Sequence, residues 1–145
     1  MDLLDILKEE HESIWGLMRE IERTEGPDAR GQLFDQLRDI LSEHCRLEDQ
    51  LFYSTMVEWA EVRIGTMSAR EEHGIIRRLL DDMSSAGIEN ERWPAKFAVL
   101  AETLRQHMRQ EERSLFKHAR RLLDSERLES LGEAALLQKE KLAIH

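Results

Sequence analysis

Four histidines and two glutamates recur in this chain at spacings suited to holding metal ions. His44-Cys45-Arg46-Leu47-Glu48 and His107-Met108-Arg109-Gln110-Glu111 each set an imidazole and a carboxylate four residues apart. On a helix both groups share one face, about 6 Å apart along the axis. Each pair has an upstream histidine at nearly the same distance: His11 lies 33 residues before His44, and His73 lies 34 before His107. A single His-x-x-x-Glu carries little information in so acidic a chain, but two in matched register carry a great deal. Neutral imidazoles joined by carboxylate oxygens suit iron, zinc or copper. The twofold pattern implies two ions, His11 and His44 serving one and His73 and His107 the other, with Glu48 and Glu111 able to bridge both. Two histidines and two shared oxygens leave each ion short of six ligands. Open positions belong to a reactive site, whereas a structural zinc site is closed. The two carboxylates favour iron over copper, and redox chemistry with a diatomic gas or a peroxide is the consequence.

A plainer reading stands beside this one. A lone histidine on an apolar face is usually a hydrogen-bonded core residue. Extending that reading to all six residues asks a small core to pair four histidines with two acids for stability alone, which buried ion pairs supply poorly.

The elements that must position these groups are legible from apolar periodicity. Leu3, Leu7, Ile14, Met18 and Ile21 recur at helical steps with His11 on their stripe, predicting a helix over about 2–24 that Gly26-Pro27-Asp28 breaks. A second helix, about 30–58, carries Phe34, Leu37, Leu41, His44, Glu48 and Leu51 or Phe52 on one side. Its end is read from symmetry: turns midway between the histidines fall near 27–28, 58–59 and 90, while Gly65 and a Ser68-x-x-Glu71 capping pattern argue for a third helix over about 66–85. A fourth, about 93–123, opens at Pro94 and carries Phe97, Leu100, Leu104, His107, Glu111 and Leu115. Asp124-Ser125 can cap a last helix, about 126–142, with Leu128, Leu131, Ala135 and Leu142 as its apolar side. Glu9-Glu10-His11 returns as Glu71-Glu72-His73, and Phe34, Leu37, Leu41, His44 and Glu48 return as Phe97, Leu100, Leu104, His107 and Glu111. The fold expected is all-α: an up-and-down four-helix bundle of two related hairpins with a short additional C-terminal helix.

Composition bounds the rest. A chain of 145 residues suits one domain over 1–145, and 6% aromatics with two prolines favours helices over strands. A formal net charge of −9 argues against nucleic acid. No apolar run is long enough to span a membrane, and the N-terminus lacks the basic and apolar regions of a signal peptide. The lone Cys45 fits a reducing compartment, so a cytoplasmic protein is expected.

Several residues flank the site. Arg77, four after His73, is expected to face inward, either toward a bridging carboxylate or bound peroxide, or else snorkelling to a surface acid. Its repeat partner Trp15 reads as a lid over the pocket. Tyr53, five after Glu48, falls about 140° off that face and reads as packed or surface rather than a ligand. Glu10 and Glu72 can accept hydrogen bonds from imidazoles of neighbouring helices, though a solvated face is the commoner fate. His118 lies on the face of Glu111, about 10 Å further along, where it lines an access route or is simply exposed. Cys45 reads as a small buried filler.

With Glu-Glu-His11, His44-x-x-x-Glu48, Glu-Glu-His73, His107-x-x-x-Glu111-Glu112-x-x-Leu115-Phe116 and Leu131-Gly132 on the page, the chain resembles the hemerythrin-like, or HHE cation-binding, family over essentially its whole length. The resemblance implies a non-haem centre of two iron ions, oxo- or hydroxo-bridged, with two carboxylate bridges, inside a four-helix bundle. The oxygen carriers of that family place a second histidine where this chain has Arg77, and an aspartate five residues after the last histidine where this chain has Glu111 at four. Both departures argue against reversible oxygen carriage and for turnover or oxidation. The resemblance further implies a reaction with dioxygen, hydrogen peroxide or nitric oxide under oxidative or nitrosative stress, including catalase-like peroxide decomposition. The alternative is an iron- or oxygen-sensing or carrier module acting through a partner protein without turnover, and a third is a structural zinc-binding bundle. Either a monomer or a homodimer is compatible with the sequence.

Overall fold

A computed structural model describes residues 1–144. Among these it shows helices and turns and no strand. Helix α1, Leu3–Arg23, is capped by Asp2, whose carboxylate accepts the Asp5 backbone N–H at 2.9 Å. Its apolar stripe and His11 are buried, as periodicity requires. Gly26, at φ 95°, turns the chain where a side chain would be strained, and Pro27 opens α2. Helix α2 covers 27–56 and is not uniform: Pro27–Leu47 is α-helical, Glu48–Tyr53 is a wider π turn, and Ser54–Met56 resumes the α geometry.

Only three residues, 57–59, separate α2 from α3, Ala60–Ala86. The symmetry estimate for that turn, near 58–59, holds, and the later start at about 66 does not. Trp59 ends the turn in an extended conformation, and the Arg63 guanidinium donates to the Val57 and Glu58 carbonyls left free at the end of α2. No glycine or proline is needed, and helix runs through Gly65 and Ser68 without interruption. Gly87, at φ 84°, closes α3. Helix α4 covers 93–122 and repeats the construction of α2: Trp93–Gln110 α-helical, Glu111–Leu115 a π turn, Phe116–Leu122 α-helical again. Helix α5 is Ser125–Ile144, and the Asp124 carboxylate accepts the Arg127 N–H at 2.7 Å ahead of it.

Helices α1 to α4 form an up-and-down bundle, and α5 lies along α1. Leu128 and Ala135 of α5 are buried as expected, whereas Leu142 is exposed because it borders a surface cleft along α2, with Arg46, Leu47 and Gln50, rather than the α1 stripe. Two apolar clusters fill the bundle. One gathers Leu3, Leu7, Leu47, Phe52, Met56 and Phe116; the other gathers Ile14, Met18, Leu37, Ile76, Leu100 and Leu104. The His and Glu residues lie between them, so the polar layer is walled by hydrocarbon above and below.

Candidate metal centre

One turn of each bundle helix supplies the layer: His11 from α1, His44 and Glu48 from α2, His73 from α3, His107 and Glu111 from α4. All six are buried. Their donor atoms fall into two sets that share a residue. His11, His44, Glu48 and Glu111 offer atoms within 4.8 Å of one another, and so do Glu48, His73 and His107. Glu48 Oε1 lies 3.1 Å from Nε2 of both His44 and His73, which come from opposite halves of the chain. Glu111 reaches His11 Nε2 at 3.1 Å through one oxygen and His107 Nε2 at 3.5 Å through the other.

These close approaches leave four polar atoms of the first set unsatisfied. His11 Nε2, His44 Nε2, Glu48 Oε2 and Glu111 Oε1 are buried without a hydrogen-bond partner. Buried polar atoms are rarely left so, because each costs about 1–3 kcal/mol. A cation among them would satisfy all four at once, and imidazole nitrogen with carboxylate oxygen is a fitting donor set for it.

Every imidazole is held from behind. Its Nδ1–H donates to an outer carboxylate: His11 to Glu112 at 2.9 Å, His44 to Glu10 at 2.7 Å, His73 to Asp49 at 2.9 Å, His107 to Glu72 at 2.6 Å. That bond fixes the ring orientation and points Nε2 at the cavity, the arrangement typical of metal-binding histidines. The four obey the internal repeat, Glu10 matching Glu72 and Asp49 matching Glu112. Sequence reasoning named Glu10 and Glu72 and missed Asp49 and Glu112. The available signal was the acid that directly follows each glutamate of the two His-x-x-x-Glu motifs.

The electrostatics favour positive charge throughout. Burial opposes a charged imidazole, but the carboxylates outweigh it: His73 is pushed up to about 12, mainly by Asp49 and Glu48, and His107 to about 10 by Glu48, Glu72 and Glu111. His11 and His44 shift upward for the same reason. Burial alone would raise Glu48, yet His44 and its other neighbours hold it well below the usual carboxylate range, while burial and the Glu48 charge push Glu111 up.

Tyr53 is the main departure from expectation. It is fully buried, and its hydroxyl donates to Glu111 and lies 3.3 Å from Glu48 Oε1 and from Nε2 of His73 and His107. The π turn over Glu48–Tyr53 is the cause: with about 4.4 residues per turn, five residues advance about 50° beyond one turn instead of 140°, which brings the ring back to the Glu48 face. Burial, then the charges of Glu48 and Glu111, push its pKa far above that of a free phenol, so the hydroxyl keeps its proton.

Arg77 does not face the cavity. Half exposed, it binds Asp49 at 2.7 Å and so reaches His73 only through that carboxylate, because the guanidinium finds a partner at the surface without desolvation. Trp15 lies on the α1–α4 seam under the guanidinium groups of Arg105 and Arg109, at 5.4 and 5.6 Å, rather than over the site. His118 donates from Nδ1 to the Ser114 carbonyl at 2.9 Å and borders a cleft that reaches His107 and Glu111. Cys45 is buried, as expected.

Comparison with known proteins agrees with this geometry. A model described as the hemerythrin HHE cation-binding domain matches residues 2–119. A crystal structure of a hemerythrin HHE cation-binding-domain protein from Mycobacterium kansasii superposes with a TM-score of 0.86 at 25% identity, covering 97% of this chain and 86% of that one. A curated protein from Nostoc sp. named DNA nickase is 23% identical over 142 residues, 98% of this chain. The chain spans 40% of the length of that relative.

Proposed function

Because the chain belongs to the hemerythrin HHE cation-binding family, we propose that its His and Glu cluster holds two iron ions that react with dioxygen, hydrogen peroxide or nitric oxide, catalase-like peroxide decomposition being one such reaction. The observation that carries this reading is the set of four buried, unpartnered donor atoms inside four oriented imidazoles. Iron bound there supplies a redox-active Lewis acid with positions open to a small oxygen or nitrogen ligand.

The chain supplies the rest. Asp49, Glu112, Glu10 and Glu72 fix the rings, so little reorganisation accompanies a change of charge at the centre. Glu48 is shared between the two donor sets and couples them. Tyr53 keeps a proton on its hydroxyl, within reach of both carboxylates and of any ligand between them. Phe52 and Phe116 shield one side from water, Phe116 stacking on His11 with ring centroids 5.7 Å apart. Among the described residues no helix is long and apolar enough to cross a membrane, and the single buried cysteine suits the reducing cytoplasm.

One observation favours a second reading, a sensor that signals through a partner. Lys139 of α5 binds Glu10 at 2.9 Å, and Glu10 holds His44, so the outermost helix is linked to the centre by two polar contacts. A change of charge at the centre would be felt by α5. The acidic net charge of −9 gives no comparable support to action on DNA.

The test is anaerobic loading with ferrous iron, metal counting, and an optical spectrum as air and then peroxide are admitted. Two irons per chain, charge-transfer bands on oxidation and catalytic gas release support the enzyme. Two irons with a stoichiometric response and altered proteolysis of α5 support the sensor. Iron well below one per chain overturns both.

A further inference from the structure

The bundle treats the two halves of its symmetric centre differently. Around His11, which is fully buried, the walls are closed: Phe116 packs parallel to and offset from the imidazole with centroids 5.7 Å apart, Phe52 packs edge-on to Phe116 at 5.4 Å, and α5 runs along α1 outside them. Beside His107 a cleft of about 220 Å³ opens between α3 and α4, and both His107 and Glu111 form part of its wall. Two other clefts come close to the centre without reaching it. One ends at Asp49 beneath Arg38, Arg46 and Arg77, the other at Glu10 beneath Lys139, and neither is bordered by any of the six inner residues.

We propose that small ligands enter through the α3–α4 cleft and so meet His107 and Glu111 first, with His11 and His44 buried behind them and closed to direct entry. The path itself does not depend on iron; the reaction at its end rests on the function proposed above. A cleft of about 220 Å³ has room for about seven waters at the liquid volume of roughly 30 Å³ each, ample for peroxide or a diatomic gas. Its wall is half polar in character, with Ser68, Gln110, Ser114 and His118 offering hydrogen bonds along the way. Because His118 donates from Nδ1, its Nε2 is free to accept a proton-bearing ligand such as hydrogen peroxide. Glu61 and Glu72 also face the cleft, Glu61 paired with Arg121 at 2.7 Å and Glu72 with His107. These carboxylates favour uncharged ligands over anions.

Why the cleft lies here follows from the sequence. Gly65 and Ala69 present almost no side chain on α3 opposite Ser114 and His118, and a Cβ built on Gly65 meets nothing within 4 Å. At the mouth, Ser68 is exposed and takes no part in holding the centre. A Ser68→Phe ring would close the entrance without touching an inner residue.

Two measurements test the route. In the metal-free protein under oxygen pressure, paramagnetic relaxation of methyl groups by dissolved dioxygen should be stronger at Leu115 and Ala69 than at Ile14 and Leu41, and Ser68→Phe should erase the difference. Equal relaxation at all four overturns the proposal, whether or not the protein takes iron. In the iron-loaded protein, Ser68→Phe should slow nitric-oxide association by ~10-fold with unchanged iron content, since a gate slows arrival without altering the centre. Ser13→Phe, on the opposite outer face, should leave the rate alone. An unchanged rate in Ser68→Phe overturns the route, while a failure of both proteins to load iron overturns only the proposed function. The charge preference is read from azide: added salt and Glu61→Gln should each speed its association, and a rate indifferent to both removes that part of the inference.

Discussion

The Tyr53 hydroxyl stands 3.3 Å from the carboxylate of Glu48, five residues before it on the same helix. A regular α-helix would put those two side chains about 140° apart. The π turn that unites them also directs the phenol to Glu111, so one local widening of α2 ties both carboxylates to a single proton donor.

Removing that donor should cost stability without emptying the site. Tyr53→Phe leaves Glu111 with one partner fewer, and the metal-free variant should lose about 1–3 kcal/mol in urea unfolding. Iron content should stay at the wild-type level, because the six inner residues remain. Wild-type stability in the variant would show that the hydroxyl is not a structural partner of the two acids.

The outer carboxylates should govern affinity. Glu112→Gln and Asp49→Asn keep the shape of the partner of His11 or His73 but remove its charge, and each should weaken metal binding by about 10- to 100-fold in chelator competition. Arg77→Ala, one contact further out, should have a smaller effect. Equal losses for Arg77→Ala and Asp49→Asn would mean that the guanidinium, rather than the carboxylate, holds the ring.

Helix α5 should not tolerate a methyl group at Gly132. A Cβ there would lie 2.3 Å from the Met1 carbonyl oxygen and 3.0 Å from the Asp2 carbonyl carbon, and both are backbone atoms that cannot rotate away. The overlap should outweigh the ~1 kcal/mol of added helix propensity and leave a net loss. Thermal unfolding of Gly132→Ala checks this, and a raised midpoint would contradict it.

The Asp2 cap should make its stability contribution pH-dependent. Burial raises this carboxyl, but the Asp5 N–H and the Arg120 guanidinium more than offset burial and hold it below its ordinary value of 3.8. A pKa lowered by folding gives stability that is complete above the unfolded value and is lost as pH falls through the folded one. Asp2→Ala should therefore be less stable than wild type by ~1 kcal/mol at pH 7, and the gap should narrow near pH 3. A gap that widens in acid would reverse the sign and refute the assignment.

Much of this was written in one dimension. Apolar steps of three and four residues placed all five helices, and the repeat of Glu-Glu-His and His-x-x-x-Glu named the six inner residues, because a helix converts spacing into direction by a constant rotation. The same rule failed where the rotation was not constant. Tyr53 entered the site through a π turn that no hydrophobic pattern announces, since a single wider turn shifts later side chains without changing their order. The α2–α3 turn was placed by symmetry but drawn too long for a related reason: Arg63 caps the end of α2 from a distance, so no glycine or proline marks where α3 begins. Partners between helices were also beyond the sequence. The choice of Asp49 and Glu112 behind His73 and His11, the outward swing of Arg77, and the opening beside His107 but not His11 depend on how neighbouring helices are rotated and spaced. Those quantities come only from packing the whole bundle.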